Sequence, residues 1–182
     1  AIEALIDQYG DRLVAVSIHS GFFAQPYPDG QDFRTADGSQ LQSFLDEPLG
    51  YPTAVVDRYL FPGEDDLQLG QSQWPGYIAE RLQQPLLVRI HLATTYDPVE
   101  RLLDVDVSLF LEEDIDAEEV HLSVGLTEDN VVDRQQTPTG EDPNYLHKHV
   151  FRDMLTSFDG NLLTEELTAG AEICKRYQLT LD

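Results

Sequence analysis

Apolar positions along the chain follow two grammars, and the change falls near Pro85. In the first stretch Ile2, Leu5, Ile6 and Tyr9 recur at helical spacing, with Gly10 where a left-handed helix end belongs. Leu13 to Ile18 is an apolar, β-branched-rich run with little alternation, which predicts a central, parallel strand covered on both faces. A connection carrying Pro26, Pro28, Asp29 and Gly30 leads to a short helix over Ser39–Leu45, with Ser39 or Asp37 as its cap. The next strand is expected over Thr53–Arg58, introduced by Gly50-Tyr51-Pro52. A helix over Trp74–Leu82 follows, with Pro75 in its first turn. The first helix opens at Ala1 with no Ser, Thr, Asp or Asn cap, so the natural chain is expected to continue upstream with at least one more strand.

Beyond Pro85 the period becomes two. Leu86–Ala93 and Leu102–Leu111 alternate apolar and polar residues around Tyr96-Asp97-Pro98, the pattern of a hairpin with one buried face. Val120–Leu126, Val150–Phe158 and Ala171–Leu181 read as further strands. Several strands at short spacing without long helices predict an immunoglobulin-like β-sandwich over 86–182, and more strands are expected past its end.

The order helix, strand, helix, proline-led strand, helix, with a G-x-P-T element at Gly50-Tyr51-Pro52-Thr53, resembles a thioredoxin-like domain over 1–85 whose N-terminal part is missing. That resemblance implies a cis Tyr51–Pro52 bond facing a redox C-x-x-C pair. Cys174 is the chain's one cysteine, so these residues cannot run a two-cysteine exchange cycle. Four blocks sharpen the comparison: Tyr9-Gly10-Asp11-Arg12-Leu13-Val14-Ala15-Val16-Ser17-Ile18-His19-Ser20-Gly21, Asp32-Phe33-Arg34-Thr35, Gly50-Tyr51-Pro52-Thr53 and His147-Lys148-His149-Val150-Phe151-Arg152. Together they resemble the twenty-eight-kilodalton outer-membrane protein family of bacterial cell envelopes. The resemblance implies an export signal and a C-x-N-C-P-like segment ahead of the Tyr-Gly-Asp-Arg block, and an extracytoplasmic, outer-membrane-associated, cell-surface or secreted protein.

Charge narrows the partners. Thirty-four acidic residues face eleven basic ones for a formal net charge of −23, so nucleic acid, which needs clustered Lys and Arg, is a poor partner. Only Lys148 and Lys175 are lysines. A lysine-poor acidic surface suits a salt-adapted, halophilic protein, because repulsion between carboxylates is screened when the Debye length falls to about 3 Å at 1 M salt. No run reaches 18 consecutive apolar residues, so no transmembrane helix is expected in this segment.

The candidate chemistry is sparse. Tyr51, Pro52 and Thr53 are candidates for holding an extended peptide, since the residue before such a proline can offer its backbone to an added strand; the competing reading is that Pro52 only shapes the fold. His147 and His149, two apart, are expected on one side of a strand, a spacing metal sites use, but zinc needs three or four ligands. His19 beside Ser17 and Ser20 lacks the G-x-S-x-G elbow of a serine hydrolase. Asp114, Asp116 and Glu118 alternate as in a calcium loop, yet Glu119 and Gly125 stand where glycine and a bidentate Glu are required, so a solvated acidic turn is expected. Cys174 is expected as a small buried hydrophobe. The reading that results is a non-catalytic extracytoplasmic binding or assembly module with no catalytic residue, cofactor or metal and with a protein or peptide partner. The alternative is a thiol–disulfide exchange protein whose cysteine pair lies upstream.

Overall fold

In the computed structural model, all residues except Ala1, Leu49, Pro138 and Asp182 are described. The uncapped helix start at Ala1 therefore lies outside the described residues. Among the described residues the architecture is mixed, with three short α-helices and small antiparallel sheets. Two compact units form, one from 1–83 with 125–154, the other from 84–124 with 155–182. The strands of 125–154, placed by pattern inside a continuous 86–182 domain, cluster with the first unit instead, where Val150 bridges Ser17, Val131 and Val150 share a core with Phe33, and Asp133 accepts from Gln31 N–H.

In the first unit α1 spans Ile2–Tyr9 and ends at Gly10 with φ +56°, as the spacing predicts. The expected strand at Leu13–Ile18 does not form. The run is extended, but its one pairing is an isolated parallel bridge of Ser17 to Val150, held by Ser17 N–H to His149 O at 2.7 Å and Phe151 N–H to Ser17 O at 3.0 Å. Val14 is 83% exposed where a two-sided core was expected. β-branched residues set an extended backbone, but a ladder needs a partner strand, and among the described residues only 149–151 supplies one.

Helix α2 covers Ala36–Phe44 and starts earlier than expected: its cap is Thr35, whose hydroxyl accepts from Gly38 N–H at 2.9 Å. Gly38 fits because a Cβ there would stand 2.9 Å from that same hydroxyl oxygen. Strand β1 is only Thr53–Ala54, paired antiparallel to β2, Leu69–Gly70. The predicted continuation to Arg58 fails because Asp57 and Arg58 both take positive φ, turning the chain out of the strand. Helix α3, Trp74–Arg81, carries Pro75 in its first turn. Leu5, Phe61, Leu69, Trp74 and Ile78 make the core between these pieces. Two polar bonds fix it: Trp74 Nε1–H donates to the backbone Leu69 O at 3.0 Å, and Tyr77 O–H donates to the Glu64 carboxylate at 2.5 Å.

The chain then enters the second unit with β3, Val88–Asp97, and β4, Leu102–Leu111. They form the predicted hairpin, whose turn is closed by Asp97 Oδ1 accepting from Val99 and Glu100 N–H. After β5 at His121–Leu122, four strands return to the first unit: β6, Gly125–Glu128; β7, Val131–Thr137; β8, Gly140–His147; and β9, Val150–Met154. There β6 pairs with β9 and β7 with β8, each antiparallel with one register shift. The second unit closes with β10, Asn161–Leu162, which pairs with β5, and β11, Glu172–Thr180, which pairs with β4. The strand order β11-β4-β3 puts β3 at an edge. Val105, Val107, Leu109 and Leu111 of β4 alternate into a core with Leu122, Val124 and Ile173. The same alternation corrects the reading of Cys174. With Ile173 inward, Cys174 lies exposed on the opposite face, its Sγ 3.7 Å from the Ser108 hydroxyl.

Candidate functional site

The first unit carries an exposed aromatic patch beside the proline motif. Gly21, at φ +69°, admits a 3-10 turn over Phe22–Ala24 that projects two adjacent phenylalanines outward, 76% and 80% exposed. The ring of Phe23 meets Tyr51 edge to face at 5.6 Å, and Phe22 meets Phe23 at 5.6 Å. Tyr51 precedes Pro52 through the expected cis bond. Thr53 is placed differently from its partners. Its hydroxyl donates inward, to Gln68 Oε1 at 3.0 Å or Leu69 O at 3.1 Å, and its backbone belongs to the β1–β2 pair. Of the three sequence candidates, Tyr51 and Pro52 are exposed and Tyr51 packs on an aromatic ring, while Thr53 is half-buried with its hydroxyl bonded within the β1–β2 region.

An open groove of about 610 Å³ runs from Gly21 and Phe22 past Gln25 to Asp32, Arg34 and Thr35. Its rim is a fork: Arg34 donates from Nε at 2.9 Å and from its terminal nitrogen at 2.7 Å to the two oxygens of Asp32. These bonds, with the Arg34 backbone N–H, hold the Asp32 carboxyl at about 2, so the rim is a neutralised ion pair at any ordinary pH. The loop bearing the patch is anchored by Asp133 on β7. That carboxylate accepts from Gln31 N–H at 2.5 Å and from Arg134 N–H at 2.7 Å, and these bonds pull its pKa down. Arg134 in turn reaches Asp29 at 2.8 Å.

The same unit holds an aromatic and histidine cluster, with Phe33 and His147 buried, that the sequence considered only in separate pieces. His19 packs on Phe33 at 5.1 Å and on His147 at 5.8 Å, and His147 packs on Phe33 at 4.7 Å and Tyr145 at 4.9 Å. Burial lowers the pKa of both imidazoles, and for His19 the neighbouring His147 adds to the shift. The Nε2 atom of His147 is buried with no hydrogen-bond partner among the described residues. His149, expected alongside His147, instead occupies the β8–β9 turn at φ +56°, with Nδ1 3.3 Å from Asp129. The turn breaks the strand alternation on which the pairing of the two histidines relied. Among the described residues no three His, Cys, Asp or Glu side chains converge as a metal site. The acidic run also disperses: Glu112 pairs with Arg89, Asp114 accepts from Ala169 N–H at 2.8 Å, and Glu119 lies 3.5 Å from His121. Sequence reasoning passed over Phe22 and Phe23. Two adjacent aromatics following glycine in a polar connection were the signal available.

Residues 45–182 match the model of the family described as outer membrane protein Omp28. The chain belongs to that family. Membership places it at the outer membrane, outside the cytoplasm. No curated protein and no solved structure matches it. Among the described residues of this family member, no helix is long and apolar enough to cross a membrane. The match includes the Tyr51–Pro52 element and all the β-strands, while Phe22, Phe23 and His19 fall before it.

Proposed function

We propose that the chain is a non-catalytic binding module of the cell envelope that captures an extended peptide segment bearing aromatic and basic side chains. The observation that carries this reading is the contiguous, exposed set Phe22, Phe23 and Tyr51 at the end of an open groove. Exposed aromatic patches mark interaction sites, and aromatic anchors dominate binding energetics. A net charge of −23 favours a basic partner. Descent of residues 1–85 from a thioredoxin-like domain fits the succession α1, extended Leu13–Ile18, α2, Pro52 and α3. An immunoglobulin-like reading of the later strands fits the antiparallel alternation around β4.

The probe is an end-capped, dye-labelled hexapeptide alternating tyrosine and lysine, titrated at fixed ionic strength. Phe22→Ser and Phe23→Ser are expected to weaken binding tenfold or more, and Val99→Ser, exposed in the second unit, to leave it unchanged. Equal affinity in all four proteins would overturn the assignment. Thiol–disulfide exchange, the second reading, rests on the thioredoxin-like resemblance. It places the cysteine pair upstream of these residues, and insulin reduction by this polypeptide itself, abolished by Cys174→Ser, would overturn the non-catalytic reading.

A further inference from the structure

Strand β3 is a ten-residue edge whose apolar side is uncovered. Its register with β4 runs from Val88 opposite Leu111 to Asp97 opposite Leu102 without a shift. Alternation therefore puts Val88, Ile90, Leu92, Thr94 and Tyr96 on the same face as the buried Val105, Val107, Leu109 and Leu111. On β4 that face is core. On β3, Ile90, Leu92 and Tyr96 are 62%, 57% and 49% exposed. Between Ile90 and Tyr96 there is no lysine, proline or bulge, the devices that normally keep a free edge from pairing.

We infer that β3 pairs with β3 of a second copy of this chain, antiparallel about a two-fold axis at Ala93, joining two three-stranded sheets into one of six. A strand can pair with its own copy only in registers that keep like faces together, so the axis must pass through a residue. With the axis at Ala93, Arg89 stands opposite Asp97 of the other copy and Ile90 opposite Tyr96, each pair occurring twice, with the small Ala93 meeting itself. Moving the axis to Leu92 sets Arg89 against Thr95, and moving it to Thr94 sets Arg89 against Val99, so only the Ala93 register pairs unlike charges at both ends. Opposite-charge and aromatic–β-branched pairs are those that stabilise facing strands. Arg89 already pairs with Glu112 and lies 4.8 Å over the Phe110 ring, but its five donors can serve a second carboxylate. The turn at Asp97 draws on Oδ1 for both of its N–H groups.

Two copies of a chain at −23 repel, so association is read by sedimentation at fixed pH 7 in about 0.1 M and 1 M sodium chloride, where screening shortens to roughly 3 Å. A dimer that strengthens with salt, and at least a tenfold weakening in Ile90→Lys with Leu92→Lys, are expected. Both positions are exposed, so the doubly substituted monomer should keep its fold, as checked by circular dichroism. In a Cys174→Ser background, Ala93→Cys is expected to cross-link to itself on oxidation faster than Leu92→Cys or Thr94→Cys. A monomer at hundreds of micromolar in 1 M salt would overturn the proposal, as would a dimer indifferent to the lysine pair. Preferential cross-linking at Leu92→Cys or Thr94→Cys would overturn the register and the charge argument with it.

Discussion

The two units reach a folded state by different means. In the second, one periodic pattern does most of the work: β4 points four residues into the core, and β11 and the short β5–β10 pair pack around it. In the first, the elements are short, and Trp74, Tyr77, Thr53 and Gln68 tie loops to backbone or carboxylate atoms around a small core. A sheet core tolerates exposed edges, because its stability is concentrated along one strand. A loop-rich core depends on many single contacts, and such segments are also where a binding surface can be displayed. The aromatic patch sits in that unit.

Core truncation should separate the two most sharply. Phe61, 1% exposed and stacked on Tyr77 at 3.9 Å, and Leu111, 1% exposed in the sheet core, both leave cavities when cut to alanine. Phe61→Ala is expected to cost about 3–5 kcal/mol and Leu111→Ala about 2–5 kcal/mol. Hydrogen exchange should show protection lost in β1, β2 and α3 for the first and in β4 and β11 for the second. Loss spread evenly over all strands in both variants would erase the contrast.

Acid should strike the first unit through its histidine pair. Both imidazoles bind protons less readily folded than unfolded, because burial lowers their pKa from 6.5. Stability is therefore complete above about pH 6.5 and is lost as pH falls through the lowered values. Urea midpoints measured from pH 8 to 5 should fall less in His147→Phe, which keeps a ring against Phe33, than in the parent. An identical pH dependence would remove His147 from the acid response. The Asp32 carboxyl, lowered to about 2, stabilises the fold above about pH 4 and adds to the acid loss only below it, as it protonates.

Smaller effects follow at the caps and the surface. Thr35→Ala removes the acceptor for Gly38 N–H and should cost about 1 kcal/mol, read as a lower urea midpoint with the far-ultraviolet spectrum retained. Arg176, exposed and paired with Asp106 at 2.6 Å, should matter least. Arg176→Gln is expected to change stability by under about 1 kcal/mol, and by less as salt rises. The chain as a whole should show the opposite salt trend, its Tm climbing at pH 7 from low salt to about 2 M as carboxylate repulsion is screened. A flat or falling Tm would leave an acidic envelope protein without salt adaptation.

Local periodicity alone determined α1, α3, the β3–β4 hairpin and β11, because each is specified by neighbours within a few residues or by strict alternation. The four motif blocks alone were enough to indicate the family, and Gly50-Tyr51-Pro52-Thr53 the cis bond. The rest depended on partners distant in the chain. Leu13–Ile18 carries a strand composition, yet a strand exists only where another backbone lies alongside, and among the described residues only 149–151 does so. The apolar residues of β3 and β4 alternate alike, but position in the sheet decided that one set is core and the other surface. His19 and His147, 128 positions apart in sequence, became neighbours only because 125–154 returns to the first unit. Hydrophobic period records which face of an element is apolar; which surface covers that face is a property of the assembled chain.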